Sequence, residues 1–237
     1  MAEKTPEEMW EAVLAIREKM AAAAREAGRA PAEVQLCAAC KTRTAETVAA
    51  SAALPIDVFG ENHVQELCAN FDAGAYCGKP SHFIGHLQTN KIKKVLGRAS
   101  LIQSVGSEHL LTAIEKEAAK AGIVQNVLLE VNIGGEAAKS GFAPEDIAAA
   151  AETALAMPHV RVRGLMTIPP VAMEPHGNLA YFEKMRWLYV DINAKIYDNK
   201  MEYLSMGMSG DFADAIRCGS NMIRVGTAIF GARDYTK

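Results

Sequence analysis

A lysine follows directly behind the first apolar stretch of this chain. Residues 34–44 read VQLCAACKTRT, and the run of apolar and small residues before Lys41 is typical of a buried strand. Alternation along a strand puts Lys41 on the same face as Cys37 and puts Cys40 on the opposite face. The neighbouring side chains are all small, so the sequence leaves open which face points inward. If Lys41 faces inward, its partly apolar surroundings lower the pKa of the ammonium group, and the free amine can attack an aldehyde. If Lys41 faces outward, it is an ordinary solvated lysine.

Two later segments, SMGMSGD at 205–211 and VGTAIFG at 225–231, combine hydroxyl groups with glycines. Hydroxyls and closely approaching backbone N–H groups are typical ligands of phosphate. The candidate phosphate-binding residues are Ser205, Gly207, Ser209, Gly226 and Thr227. The alternative is a pair of ordinary turns, with Ser209 as the N-cap of a following helix.

The five cysteines stand at positions 37, 40, 68, 77 and 218. Cys37 and Cys40 form a C-x-x-C pair, but on a strand they would lie ~10 Å apart on opposite faces, which excludes a disulfide or a shared metal ion. No second pair completes a metal site. The odd cysteine count and an acidic N-terminal helix without a leader pattern predict free thiols in a reducing, cytoplasmic environment.

The composition describes a globular chain without an obvious polyanionic partner. Of the 237 residues, 50% are hydrophobic and 22% are charged, and the formal net charge is −3. This balance favours neither nucleic acid nor an anionic membrane as a partner. The basic run at 90–98 lacks interleaved aromatics and is interpreted as the solvated face of a short helix. No apolar stretch approaches the ~18 residues of a membrane span, so no membrane association is expected.

Short apolar strands alternate with helices along the whole sequence. The predicted strands are 34–40, 56–61, 81–86, 100–105, 126–133, 160–168, 203–209 and 222–231. The predicted helices are 6–27, 44–53, 62–71, 89–96, 107–121, 144–156, 177–197 and 211–217. Eight such repeats predict one α/β domain over residues 1–237, a (β/α)8 TIM barrel with an extra N-terminal helix within residues 1–30 packed on it. A doubly wound open sheet is the alternative.

In such barrels chemistry takes place at the carboxyl ends of the strands, and phosphate often binds beyond strands 7 and 8. The two glycine- and hydroxyl-containing segments follow those two strands. A phosphate site together with a strand-end lysine is what pyridoxal 5'-phosphate (PLP) requires, since its aldehyde forms an imine and its phosphate anchors it.

The sequence also resembles a known family in seven successive motifs. These are LCAACKTRT, VFGENHVQE, SHFIGHLQTNK, VNIGGEAAKSGF, RGLMTIPP, LSMGMSGDFADAI and IRVGTAIFGARDY, in order from about residue 34 to 235. They resemble the motifs of the pyridoxal phosphate homeostasis protein family, the single-domain relatives of the alanine racemase barrel. The resemblance implies a fold-type III PLP-binding barrel in which Lys41 carries the imine and Arg224 faces the pyridine nitrogen.

The same resemblance implies roles for further residues. Ser205, Ser209, Gly226 and Thr227 would surround the phosphate. Three more positions, Asn62, His86 and Met166, match motif residues that line the cofactor, and Lys139 matches a family lysine that offers a second amine. The residues alone allow another interpretation of each. Asn62 could be an N-cap, and Met166 could be a core residue. His86 could be a rim histidine with ordinary hydrogen-bond partners, and Lys139 could be a solvated loop lysine.

Three classes of function remain open on the sequence. Racemases of this fold class carry a C-terminal β domain that supplies a tyrosine base and a dimer contact, and the sequence shows no such domain after the barrel. Racemisation needs a proton acceptor on each face of the cofactor, and Arg224 would not protonate its ring nitrogen. A barrel enzyme that uses Lys41 as its own imine lysine would need neighbouring carboxylates, for which Glu61 is the candidate. The sequence therefore predicts a monomeric protein that binds, buffers and delivers PLP without substantial amino-acid turnover, with cofactor-dependent apo-enzymes as candidate recipients.

Overall fold

The computed structural model describes residues 4–231 of the chain. Within them, eight parallel strands close into a barrel in sequence order, from β1 to β8 and back to β1. The strands are β1 Gln35–Ala39, β2 Val58–Glu61, β3 Ser81–Phe83, β4 Leu101–Val105, β5 Gln125–Val131, β6 Val160–Thr167, β7 Tyr203–Ser205 and β8 Met222–Val225. The closed barrel confirms the predicted fold class and excludes the open sheet.

Helices connect successive strands and surround the barrel. They are α1 Pro6–Glu26, α2 Ala45–Ser51, α3 Val64–Asp72, α4 Ile92–Val95, α5 Glu108–Ala121, α6 Ile147–Leu155, α7 Leu179–Lys195, α8 Phe212–Arg217 and α9 Thr227–Phe230. Short 3-10 turns lie at Pro31–Glu33 and Thr89–Lys91. No helix in the part of the chain that the structure describes is long and apolar enough to cross a bilayer.

The extra helix α1 begins at a capping box. The Thr5 hydroxyl accepts the Glu8 N–H, and the Glu8 carboxylate accepts the Thr5 N–H. Apolar residues spaced three and four apart, including Met9, Val13 and Ile16, form the buried stripe of the helix. Contacts with α8 and α9 attach α1 to the last strand-helix units of the barrel.

Side chains alternate between the barrel interior and the layer beneath the helices. Cys37 is buried with Val58 and Met222 in an interior cluster. Cys40 belongs instead to the large cluster between strands and helices. The two thiols lie in different layers, on opposite faces of the strand as predicted.

The predicted elements at the last two strands were too long. Strand β7 ends at Ser205, and β8 ends at Val225 because Gly226 leaves the extended conformation with φ −120° and ψ −72°. The Gly226 carbonyl then accepts N–H groups from Ile229 and Phe230, which start the short helix α9. The apolar run after Gly226 therefore forms a helical turn at the rim of the barrel.

Candidate functional site

Lys41 lies in the turn that follows β1. Register answers the question that the sequence left open. Cys37 pairs with Arg224 of β8, and both side chains are buried inside the barrel, so the odd-numbered face of β1 is the inner one. Lys41 is half-buried, and its amine makes no hydrogen bond or ion pair within residues 4–231. The following Thr42 has φ +66°, and its N–H donates to Glu66 Oε1 at 3.1 Å, which fixes the turn.

Arg224 extends across the barrel interior from β8. Its side chain is buried, and two of its N–H groups donate to the chain, Nη1 to Ser205 Oγ at 2.5 Å and Nη2 to the Thr167 carbonyl at 2.8 Å. Burial lowers the pKa of the guanidinium, and the nearby Cys37 and Glu130 counter that shift. A guanidinium stays charged even so, and it has further N–H donors to offer a ligand.

Ser205 has a different environment from the one predicted for a phosphate ligand. The residue is fully buried, and its hydroxyl accepts from Arg224 and donates to Gln103 Oε1 at 2.7 Å. Both hydrogen-bonding roles of the hydroxyl are therefore taken by protein groups. The structure places Ser205 beneath the rim as a partner of Arg224, and its direct contact with phosphate stays a prediction.

The other candidate phosphate ligands lie at the rim. Ser209 and Thr227 are exposed, and neither hydroxyl makes a hydrogen bond within the described residues. Gly207 has φ +94°, and a Cβ there would lie 2.6 Å from the Ala215 Cβ, so the loop after β7 needs a glycine. A Cβ on Gly226 would lie 2.9 Å from the Ala39 carbonyl oxygen, which shows how closely the β8 rim approaches the end of β1 and so Lys41.

The alternative role of Ser209, as the N-cap of the following helix, is excluded by the structure. The N-cap of α8 is Asp211, whose carboxylate accepts the Met208 N–H at 2.7 Å and a donor from Asn178 at 2.7 Å. Asp211 thus folds the loop back on itself and holds Ser209 outside the helix. The Ser209 hydroxyl remains available to a ligand.

A cavity of about 230 Å³ occupies the rim beside β3 to β6. Asn62 and His86 line it, together with Glu130 and Lys139. Asn62 is not an N-cap, because α3 is capped at His63. The His86 ring nitrogen Nδ1 lies 3.2 Å from Ser140 Oγ, and His86 is exposed. The structure brings these two predicted residues together at one cavity.

Lys139 and Met166 have protein partners of their own. Lys139 forms an ion pair with Glu136, and its Nζ donates to the Pro169 carbonyl at 3.1 Å, so it is not a free solvated lysine. Met166 is fully buried with Leu101 and Leu128 in the barrel interior. Met166 therefore belongs to the packed layer below the rim.

Three interior polar residues were missed in the sequence reading: His82, Gln103 and Glu130. Each is a polar residue in an otherwise apolar strand, at a position whose side chain points into the barrel. The alternation of side chains along the strands could have identified them from sequence. Burial raises the pKa of the Glu130 carboxyl, and Arg224 partly opposes the shift. Burial lowers the pKa of His82 to about 3, so this histidine is neutral at physiological pH.

Glu61, the carboxylate considered for an imine enzyme of another type, faces away from the barrel interior. Its Oε1 accepts from Asn70 at 2.7 Å and from the Tyr76 hydroxyl at 3.1 Å, both beneath the helices. Burial raises its pKa to about 7. Glu61 therefore supports the wall between β2 and α3, and this weighs against its use beside Lys41. Across residues 4–231, no group of His, Cys, Asp and Glu side chains could hold a metal ion.

Comparison with known proteins agrees with this geometry. The family model described as alanine racemase, N-terminal domain, matches residues 13–234. The pyridoxal phosphate homeostasis protein of Aquifex aeolicus is 40% identical over 93% of this chain and 96% of that protein. The chain belongs to the pyridoxal phosphate homeostasis protein family.

Two solved structures show the same barrel. An unknown protein from Bifidobacterium adolescentis is 35% identical with a TM-score of 0.89, over 95% of each chain. PipY of Synechococcus elongatus PCC7942, solved with PLP bound, is 29% identical with a TM-score of 0.78, over 91% of this chain and 100% of that chain. The family and its barrel, expected from the motifs, are therefore confirmed.

Proposed function

We propose that this protein binds PLP reversibly at the carboxyl rim of its barrel and buffers and delivers the cofactor in the cell. The observation that carries the proposal is the set of groups at the carboxyl end of the barrel: the buried guanidinium of Arg224, and the Lys41 amine and the Ser209 and Thr227 hydroxyls, which have no partner within residues 4–231. The name of the Aquifex relative and the PLP-bound PipY structure support it.

The residues present fit the chemical groups of PLP. The PLP aldehyde supplies a carbon that condenses with an amine, and the Lys41 amine has no protein partner within the described residues 4–231. Ser209 and Thr227 offer hydroxyl donors to a phosphate, and Gly226 brings the backbone close. Arg224 keeps N–H donors for a ring nitrogen and holds that nitrogen unprotonated, because a guanidinium does not give up its proton. Asn62 and His86 line the adjoining cavity, where a ring substituent would lie.

Ser205, Gly207 and Met166 act on the cofactor through the protein in this proposal. Ser205 holds Arg224, Gly207 permits the turn of the loop after β7, and Met166 packs the floor below. None of the three needs to contact the cofactor directly in order to support the site.

A carrier fits the acid–base groups better than an amino-acid racemase. A racemase needs a second proton acceptor opposite Lys41. At the rim, Lys139 is paired with Glu136, and His86 lies against Ser140. Glu130 is the carboxylate that a racemase mechanism would have to use; burial raises its pKa and Arg224 only partly opposes that shift, so the alanine assay below includes a variant of Glu130.

The test mixes the PLP-loaded protein with a PLP-dependent apo-enzyme and, separately, with L- or D-alanine. We expect the apo-enzyme to regain activity and alanine to keep its configuration. The matched control is Glu130→Gln, which should behave as the unaltered protein in the alanine assay. Roughly ten turnovers per second is an ordinary enzyme rate. If the protein racemised alanine at that rate and Glu130→Gln abolished the activity, the protein would be a racemase and the carrier proposal would be wrong.

We propose that PLP-dependent apo-enzymes receive the cofactor. We also propose that the protein acts as a monomer in the cytoplasm. The half-buried position of Lys41 supports exchange, because an incoming amine reaches it from solvent. Light scattering on the loaded protein checks the monomer, and a dimer would contradict this part of the proposal.

A further inference from the structure

Four side chains form a continuous hydrogen-bonded row through the barrel interior. His82 lies on β3, Gln103 on β4, Ser205 on β7 and Arg224 on β8, and none is more than 5% exposed. The distances are 2.9 Å from His82 Nδ1 to Gln103 Nε2, 2.7 Å from Gln103 Oε1 to Ser205 Oγ and 2.5 Å from Ser205 Oγ to Arg224 Nη1. The row links the far wall of the barrel to the guanidinium of the proposed site.

The donors and acceptors in this row have only one consistent arrangement. Arg224 has no acceptor, so its Nη1 donates to Ser205 Oγ. The single proton of Ser205 then goes to Gln103 Oε1. The amide nitrogen of Gln103 donates to His82 Nδ1, with Met222 Sδ as a second acceptor at 3.2 Å. Consequently Nδ1 of His82 carries no proton, and the neutral ring is protonated on Nε2.

The low pKa of His82 agrees with this arrangement. A proton on Nδ1 would face the amide N–H of Gln103 and would force the amide to turn. The turned amide would present its N–H groups to Ser205 and leave the hydroxyl proton of Ser205 without its acceptor. A buried donor without a partner is costly, so the two ends of the row depend on each other.

We propose that Gln103 is a positioning residue of the cofactor site, which orients the guanidinium of Arg224 through Ser205 and requires a neutral, Nε2-protonated His82. The inference rests on the proposed function, since Arg224 is the group that would face the ring nitrogen of PLP. Thr167 anchors the other terminal nitrogen of Arg224 through its carbonyl. With Gln103 in place, both terminal nitrogens are fixed before any ligand arrives.

The first test uses the cofactor-free protein, so it does not depend on PLP binding. Nitrogen NMR of the unaltered protein should show His82 neutral and protonated on Nε2 between about pH 5 and 8. In Gln103→Glu the carboxylate can only accept, so the proton should move to Nδ1 of His82. An Nδ1 proton in the unaltered protein, or no change in Gln103→Glu, would overturn the inference.

The second test asks whether the row controls Arg224. In Gln103→Met, the guanidinium N–H groups of Arg224 should exchange with solvent faster, and PLP should bind roughly tenfold more weakly, the value of about one hydrogen bond to a charged group. Ser205→Ala should give the same result, and the double variant should add little to either single one, because the two residues act in series.

The matched control is Gln125→Met. Gln125 is also a buried strand glutamine, but it donates to the Ala99 and Asn126 carbonyls outside this row. It should lose stability without a change in Arg224 exchange or in the His82 tautomer. If Gln103→Met behaves like Gln125→Met in these readouts, the positioning role is wrong; should Gln103→Met not fold, Ser205→Ala decides by the same criterion. Failure of the unaltered protein to bind PLP would instead refute the proposed function and leave the NMR result standing.

Discussion

Arg224 of β8 is the register partner of Cys37 of β1, and the two side chains meet inside the barrel. This pairing fixes the inward face of β1, the strand that ends two residues before Lys41. Burial raises the pKa of the Cys37 thiol to about 12, so the thiol stays protonated and is a poor nucleophile. Lys41 and Arg224 are therefore the groups that we propose to interact with the cofactor here.

We expect Lys41 to be the residue that bonds PLP. Borohydride reduction of the loaded protein followed by peptide mapping should place the label on Lys41, and Lys41→Ala should lose the imine absorbance. Lys139→Ala is the matched control and should keep the absorbance, because its amine is held by Glu136 and the Pro169 carbonyl. A label mainly on Lys139 or Lys91 would refute the assignment.

The rim hydroxyls should contribute to affinity through the phosphate. Thr227→Val and Ser209→Ala should each weaken PLP binding by roughly ten- to a hundredfold, since a hydrogen bond to a charged group contributes ~1.5–3 kcal/mol. Neither change should affect the binding of pyridoxal, which lacks the phosphate. Thr112→Val, at an exposed position of α5, is the control and should leave both affinities unchanged. Equal losses for PLP and pyridoxal would show that these hydroxyls do not contact phosphate.

Gly85 should be intolerant of a side chain. A Cβ at this position would lie 2.0 Å from the Asn62 carbonyl oxygen, so Gly85→Ala must push the rims of β2 and β3 apart. We expect a loss of roughly 1–3 kcal/mol in the free energy of unfolding, measured by urea denaturation. Gly210→Ala, where nothing lies within 4 Å of the added carbon, should cost far less. Equal stability of the two variants would contradict the close approach at Asn62.

Two buried groups should give opposite pH dependences of stability. The pKa of His82 falls from 6.5 to about 3 on folding, so the unfolded chain binds the extra proton and stability rises with pH across that window. The pKa of Glu61 rises from 4.5 to about 7, so the folded chain binds the extra proton and stability falls as pH rises from 4.5 to 7. Between pH 4.5 and 6.5 the two effects oppose each other.

Glu61→Gln removes one of these effects. Relative to the unaltered protein, its free energy of unfolding should gain up to about 1.4 kcal/mol per pH unit between 4.5 and 7, measured by urea denaturation at each pH. Glu152→Gln, on the exposed side of α6, is the control and should leave the profile unchanged. Parallel profiles for Glu61→Gln and the unaltered protein would show that Glu61 titrates normally.

Much of the fold was readable from local pattern. Eight apolar runs separated by helical segments predicted the barrel, because parallel strands buried on both sides are predominantly apolar on both faces. The placement of Ser209, Gly226 and Thr227 after the last two strands predicted their common rim for the same topological reason. The pattern failed at 226–231, where an apolar run that was predicted as strand forms a helical turn, since hydrophobicity does not report the backbone angles of Gly226.

The sequence by itself determined the order of the elements and the family, and it singled out Lys41 as the candidate lysine, because these depend on residue type and spacing along the chain. Only the tertiary structure decided which face of β1 points inward, that Ser205 supports Arg224, and that His82 and Gln103 complete the row behind it. Ser205 is separated from Gln103 by 102 positions in the chain. Hydrogen bonds of that kind form across a closed barrel, where strand register and barrel closure set the distances between residues that have no local relation in sequence.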